Sequence, residues 1–157
     1  VIRYKTAKLF ESAAQIGAVL CDADETVERA AAAYGRHLGT AFQLVDDVLD
    51  YSGASAELGK NVGDDLREGK PTLPLIRVMQ AGTAADRAIV SEAIRAGGTD
   101  RFDEIHAAIQ RQDALGYTRA LAEREAALAR DALVALPASQ HRDALLYLAT
   151  YSVSRSS

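Results

Sequence analysis

No part of this sequence sustains the alternation of apolar and polar residues that a half-buried β-strand requires, and this limits the possible folds more than any other feature. Alanine and leucine, which favour helices, are abundant, and runs of β-branched residues are short. We therefore predict an all-α fold, a bundle of helices in one domain.

The apolar periodicity also places the helices along the chain. It predicts helices over about Ile2–Leu20, Glu25–Tyr51, Thr72–Ala81, Ala84–Ala96, Arg101–Gln112 and Asp113–Leu136, and a last one from Ser139 to Ser152. Between Ser52 and Pro74, four glycines and two prolines predict a loop with one short helical turn. Gly35 and Gly39 lie inside the long second helix, where they allow close packing or a local kink.

Composition excludes several classes of protein. The net charge of −4 argues against nucleic-acid binding, and no apolar run is long enough to span a bilayer. The single cysteine, Cys21, excludes an intrachain disulfide framework and fits a reducing compartment, so we expect a cytoplasmic protein. The chain has no initiator methionine and begins inside a predicted helix, so we expect it to be part of a longer protein.

The stretch "FQLVDDVLD" carries the first candidate site. Asp46 and Asp50 are four residues apart and share one helix face; Asp47 lies beside them, and Gln43 is on the same stripe. Like charges at this spacing destabilise a helix, and a Mg²⁺ ion, which prefers oxygen ligands, is the obvious compensation. Carboxylates at a solvated helix end would need no metal. The apolar neighbours favour a buried helix with aspartates facing a cavity: Phe42, Leu44, Val45, Val48 and Leu49.

The following loop adds a second candidate site. In "LGKNVGDDLREGKPTLPLI", Lys60 and Lys70 flank Asp64 and Asp65, with three glycines between Leu58 and Lys70. Because only four of the 18 basic residues are lysines, the loop lysines invite a specific explanation, such as closure over a diphosphate. Solvated lysines on a surface loop remain the alternative.

A third element is "KTAKLF" near the start, where Lys5 precedes Thr6 in an apolar helix. Taken alone, these two residues are most simply a surface lysine and a threonine that bonds its own helix backbone. The three elements in this order resemble the trans-prenyltransferases, or polyprenyl diphosphate synthases. The sequence from Gly39 to Ile76 is especially similar to that of the bacterial long-chain members, such as octaprenyl diphosphate synthase.

The resemblance implies a fold and a reaction. The fold would be the isoprenoid synthase-type helical bundle, present here as its C-terminal half, because the family's first aspartate-rich motif is absent and its members are about twice this length. The reaction would be Mg²⁺-dependent extension of an allylic diphosphate by isopentenyl diphosphate, giving a long-chain all-trans polyprenyl diphosphate. Family members are usually homodimers, so a homodimer is expected, and the present chain alone should be inactive.

The resemblance also assigns roles to residues. Asp46, Asp47 and Asp50 would form the metal site, and Lys5, Lys60 and Lys70 would contact the diphosphate. Thr6 and Gln43, with the helix dipoles, would face the allylic cation, and Lys5, Thr6 and Gln43 would be the catalytic residues. Other interpretations are a terpene cyclase, whose usual second metal motif is not found here, and a helical oligomerisation domain with a chance acidic stripe. A further alternative is a non-catalytic helical subunit or regulatory partner of a prenyltransferase.

Overall fold

The computed structural model describes residues 3–52, 63–97 and 100–155, apart from the side chains of Arg3 and Lys5. Within these ranges every regular element is a helix and no strand occurs, so the predicted all-α fold is confirmed. No helix of the described chain is both long and apolar enough to cross a bilayer.

The helices follow the predicted order. They are α1 (Lys8–Leu20), α2 (Glu25–Leu49), α3 (Asp64–Arg67), α4 (Leu73–Ala81), α5 (Ala84–Ala96), α6 (Phe102–Arg111), α7 (Ala114–Ala132) and α8 (Gln140–Ser154). A π-helical turn, Arg3–Ala7, precedes α1, and a 3₁₀ turn, Leu133–Ala135, follows α7. The short turn expected in the loop is α3, and the hydroxyl of Ser139 accepts a hydrogen bond from Arg142 N–H to cap α8.

Two element boundaries differ from the sequence prediction by more than two residues. The first helix was expected to be regular from Ile2, but its start is π-helical, and the helix expected to reach Leu136 loses α-geometry after Ala132. Both differences involve a change in the backbone hydrogen-bond step, which side-chain periodicity does not report.

Chain contacts divide the molecule into two compact units. The first contains residues 3–45 and 121–155, and the second contains residues 46–120 of the described chain. Helices α2 and α7 each contribute to both units, because the divisions fall at Val45 and at Leu121.

The first unit packs α1, α2, α7 and α8 around a small core of Tyr34, Ala129, Leu133 and Ala149. The hydroxyl of Tyr34 donates a 3.0 Å hydrogen bond to the carbonyl of Leu145. A methyl group on Gly35 would lie 2.3 Å from the carbonyl oxygen of Phe10, and one on Gly39 would lie 2.8 Å from the Cα of Ala7. Of the two alternatives that the sequence allowed at these glycines, close packing or a local kink, the structure shows close packing.

Helix α1 is unusual because it is apolar yet buries none of its 13 residues fully. Leu9, Ile16 and Leu20 lie on one face and are 73%, 55% and 79% exposed. A helix that is apolar on most of its circumference is normally surrounded by other helices. The described chain covers only part of the circumference of α1.

The second unit has the larger core. Tyr51, Leu66, Leu75, Val78 and Val90 pack with the apolar face of α6, which includes Ile105 and Ile109. Tyr51 is completely buried immediately after α2, where it lies against residues of α3 and α4. The core therefore fixes the end of the aspartate-bearing helix relative to the segment that follows the loop.

Candidate functional site

The π-helical turn contains Thr6, one of the predicted site residues. It displaces the backbone of Arg3–Ala7 from regular α-geometry, and the hydroxyl of Thr6 donates a 2.7 Å hydrogen bond to Oε1 of Gln43. Single π-turns inside helices are often found at functional sites. The buried Ala7 lies against Gly39, which precedes Gln43 by one turn of α2. The π-helical turn and α2 are therefore close enough for this bond to form. The structure thus brings Thr6 and Gln43 together, whereas the side chain of Lys5 lies outside the described residues.

Asp46 and Asp47 lie at the C-terminal end of α2 and Asp50 follows that end directly, all three in the second unit. The carboxylate of Asp50 accepts two 3.2 Å hydrogen bonds, from the backbone N–H groups of Asp64 and Asp65. These N–H groups belong to the first turn of α3, so Asp50 takes the place of a side-chain cap that Gly63 cannot supply. The Asp50 carboxylate thereby anchors the segment after the loop to α2.

The electrostatic environment of Asp50 disfavours its negative charge. Burial is the largest cause and the nearby Asp65 carboxylate adds to it; together they raise the pKa of Asp50 to about 6, although the two backbone N–H groups lower it. A cation bound beside Asp50 would offset both the burial and the repulsion from Asp65.

Asp46, Asp47 and Asp50 differ in their surroundings. Asp47 is 3% exposed, whereas Asp46 and Asp50 are partly exposed. The N–H of Leu73, the first residue of α4, points to Oδ2 of Asp47 at 3.5 Å. Among the described residues, no group of three or more histidine, cysteine, aspartate or glutamate side chains converges closely enough to hold a metal ion.

The two loop lysines fall on either side of the boundary of the described chain. Lys60 lies outside the described residues. Lys70 forms ion pairs with Asp65 at 3.2 Å and with Glu68 at 2.6 Å, and the Glu68 partner is the main cause that raises the pKa of Lys70. In this structure the Lys70 ammonium is therefore paired with the acidic side chains of its own segment.

Sequence reasoning missed three contributors to this region. The Asp65 carboxylate adds to the effect of burial in raising the pKa of Asp50, and Tyr51 and Thr72 join the end of α2 to the start of α4 through a 3.3 Å hydrogen bond between their hydroxyls. The pair Asp64-Asp65 directly after a glycine was a usable signal, since acidic residues are favoured in the first turn of a helix. Tyr51 and Thr72 carried no such signal.

Comparison with known proteins decides the family. The family model of polyprenyl synthetase matches residues 1–111. The chain belongs to the polyprenyl synthetase family. The resemblance inferred from the motifs is therefore confirmed, and the match includes the described aspartate helix, α3 and α4.

Individual members of the polyprenyl synthetase family match almost the whole chain. The octaprenyl diphosphate synthase of Haemophilus influenzae is 51% identical over 99% of this chain, which corresponds to 47% of that protein. A decaprenyl diphosphate synthase from Rhodobacter capsulatus, known from its crystal structure, superposes with a TM-score of 0.89 and is 40% identical, covering 98% of this chain and 48% of its own. The present chain therefore spans about half the length of these relatives.

A third family member is informative because its structure holds ligands. The geranylgeranyl pyrophosphate synthase from Corynebacterium glutamicum was crystallised in complex with calcium and isoprenyl diphosphate. It is 29% identical to this chain, with a TM-score of 0.82, and the match covers 98% of this chain and 48% of that one.

Proposed function

We propose that this chain forms one half of a polyprenyl diphosphate synthase, the C-terminal half by the motifs it carries. The whole enzyme would join isopentenyl diphosphate to an allylic diphosphate and release a long-chain all-trans polyprenyl diphosphate. The octaprenyl and decaprenyl relatives support a long-chain product. The observation that carries the proposal is at the end of α2, where Asp50, four residues after Asp46, accepts hydrogen bonds from the N-terminus of α3.

The residues present fit a Mg²⁺ ion. Mg²⁺ is usually held by one or two carboxylates together with waters and substrate phosphates, so a cluster of three protein ligands is not required. Asp46 and Asp50 would supply the two carboxylates, and the raised pKa of Asp50 indicates a location where positive charge is favourable. Mg²⁺ bound there would supply the charge that stabilises the departing diphosphate. The calcium and isoprenyl diphosphate bound by the Corynebacterium glutamicum relative support this choice.

The remaining candidate residues have complementary roles in the proposed reaction. The bond between C1 of the allylic substrate and its diphosphate breaks, the double bond of isopentenyl diphosphate attacks C1, and a proton is lost from the product. Lys5, Lys60 and Lys70 would neutralise diphosphate oxygens. Lys70 would have to exchange Glu68 or Asp65 for the substrate, which its partly exposed ammonium permits. The oxygens of Thr6 and Gln43 would face the positive charge that develops on C1.

The exposed face of α1 supports the proposal that the enzyme needs a further segment. Full exposure of leucine side chains costs roughly 1.5–3 kcal/mol each relative to burial, and Leu9 and Leu20 are more than 70% exposed. The relatives are about twice as long as this chain. We propose that their additional half, expected upstream, packs on the face of Leu9, Ile16 and Leu20. A homodimer of the whole enzyme belongs to the same proposal and rests on the family resemblance.

The direct test is a thermal melt of the chain with a non-hydrolysable farnesyl diphosphate analogue, with and without Mg²⁺. Ligand at one hundred times Kd should stabilise the chain by about 2.7 kcal/mol. We expect the shift to require both Mg²⁺ and analogue, to disappear in Asp46→Asn, and to persist in Asp103→Asn, which changes an exposed carboxylate on α6.

The same melt is repeated after adding the part of the Haemophilus influenzae synthase that the chain does not cover. Product formation by the reassembled halves, assayed separately with farnesyl diphosphate, isopentenyl diphosphate and Mg²⁺, would support the synthase. Assembly that binds Mg²⁺ and analogue without turnover would instead favour the non-catalytic subunit. Neither binding nor turnover in the assembled halves would contradict the proposed function.

A further inference from the structure

Asp47 is more deeply buried than Asp46 and Asp50, so its carboxylate has the greater need of partners within the protein. It is 3% exposed, whereas Asp46 is partly exposed, and within the described residues no hydrogen bond or ion pair to the Asp46 side chain is found. A buried carboxylate needs hydrogen-bond donors or a positive potential. The start of α4 offers both.

Helix α4 begins without a cap of its own. Its N-cap residue, Thr72, makes no side-chain capping bond, and its hydroxyl donates to the hydroxyl of Tyr51 at 3.3 Å. The second helical residue is Pro74, which has no N–H, and the N–H of Ile76 already bonds the carbonyl of Thr72. The N–H groups of Leu73 and Leu75 are thus the ones at this helix start that need an acceptor.

Asp47 meets this requirement from the neighbouring helix. Its Oδ2 lies 3.5 Å from the Leu73 nitrogen, at the outer limit of hydrogen-bonding distance, and the partial positive charge of the α4 N-terminus favours the carboxylate. Asp47 and Tyr51 are four residues apart and lie on the same side of the chain. Asp47 contacts Leu73, and Tyr51 contacts the preceding residue, Thr72.

We propose that Asp47 is a positioning residue and not a metal ligand: with Tyr51, it holds the start of α4 against the end of α2. These two contacts fix residues 72 and 73, and the hydrogen bonds that Asp50 accepts from the N–H groups of Asp64 and Asp65 fix the other end of the same short segment. The segment carries Lys70, so its position relative to Asp46 and Asp50 depends on Asp47. The statement about metal rests on the proposed function, whereas the statement about α4 does not.

Three variants separate the two roles. Asp47→Asn keeps a carbonyl oxygen for the Leu73 N–H but removes the charge that a metal ligand needs. Asp47→Leu has similar volume and no acceptor. Asp46→Asn alters the partly exposed neighbour and is the matched control.

The first measurement is amide hydrogen exchange at Leu73 and Leu75 by NMR, which requires no ligand. We expect exchange to be at least tenfold faster in Asp47→Leu and within threefold of the wild type in Asp47→Asn and Asp46→Asn. Unchanged exchange in Asp47→Leu would overturn the proposal, since α4 would then not depend on this carboxylate.

The second measurement is calorimetric titration with Mg²⁺ in the presence of inorganic diphosphate, on the chain assembled with the remainder of the synthase. We expect Asp47→Asn to bind within threefold of the wild type, Asp47→Leu to bind more weakly, and Asp46→Asn to bind at least tenfold more weakly. Equal losses in Asp47→Asn and Asp46→Asn would overturn the proposal by making Asp47 a ligand. If the wild type binds no Mg²⁺, the proposed function fails, and hydrogen exchange alone decides whether Asp47 positions α4.

Discussion

The hydroxyl of Thr6 donates a 2.7 Å hydrogen bond to Oε1 of Gln43, a residue 37 positions later in the chain. The bond joins a π-helical turn to α2 at a point where Gly39 permits close packing against Ala7. Two residues whose roles were inferred from separate motifs are therefore held in contact within one unit. The contact makes their mutual geometry sensitive to changes on either helix.

Replacing Thr6 by valine should lower the free energy of unfolding by about 1 kcal/mol, because the donor to Gln43 is lost while shape is kept. Thr6→Ser should retain most of the stability. Thr40→Val is the matched control, since among the described residues the Thr40 hydroxyl bonds only the carbonyl of Arg36 in its own helix; it should change stability by less than about 0.5 kcal/mol. Urea unfolding measures all three, and equal losses in Thr6→Val and Thr40→Val would contradict the prediction.

Gly39→Ala should destabilise the first unit by about 1–3 kcal/mol, because its methyl group would lie 2.8 Å from the Cα of Ala7. Gly17 is the control, since a methyl group there would meet no atom of the described chain within 4 Å apart from its chain neighbours and the backbone of its own helix. Gly17→Ala should stabilise the chain by up to about 1 kcal/mol through helix propensity alone. In thermal unfolding, Gly39→Ala should lower the melting temperature and Gly17→Ala should raise it. An unchanged melting temperature in Gly39→Ala would show that the packing can relax.

The salt bridge between Asp86 and Arg111 should make stability depend on acidity. Hydrogen bonding to Arg111 is the main cause, and bonds from Thr83 the next, that lower the pKa of Asp86 in the folded protein. The folded state then binds the Asp86 proton less readily than the unfolded state, whose pKa is about 3.9. The stabilisation is complete above that pH and is lost as the pH falls through the lower folded pKa.

We therefore expect Asp86→Asn to be less stable than the wild type at pH 7, with a difference that shrinks as the pH falls below about 4. Asp100→Asn, at an exposed position, serves as the control, and its stability should match that of the wild type at every pH. Urea midpoints between pH 7 and pH 3 measure this dependence. A difference that stays constant over that range would show that Asp86 acts without its charge.

The exposed face of α1 gives a prediction about assembly. Ile16→Gln and Leu20→Gln should leave the stability of this chain within about 0.5 kcal/mol, because both side chains are more than half exposed. They should weaken association with the remaining half of the Haemophilus influenzae synthase at least tenfold. Val134→Gln, at a position that is 80% exposed but outside α1, should not weaken it. Pull-down and titration of the two halves provide the measurement, and equal effects of all three variants would argue against the α1 face as the contact.

The sequence by itself determined the helical class, most helix positions and the family, because these depend on local periodicity and on the order of short motifs. The aspartates at positions 46, 47 and 50 were evident for the same reason. Only the tertiary structure decided how those carboxylates differ: Asp50 accepts from the start of α3, and Asp47 lies buried at the start of α4. Spacing assigns side chains to a helix face, but burial and backbone N–H partners come from segments 14 to 26 residues away, which no local pattern specifies.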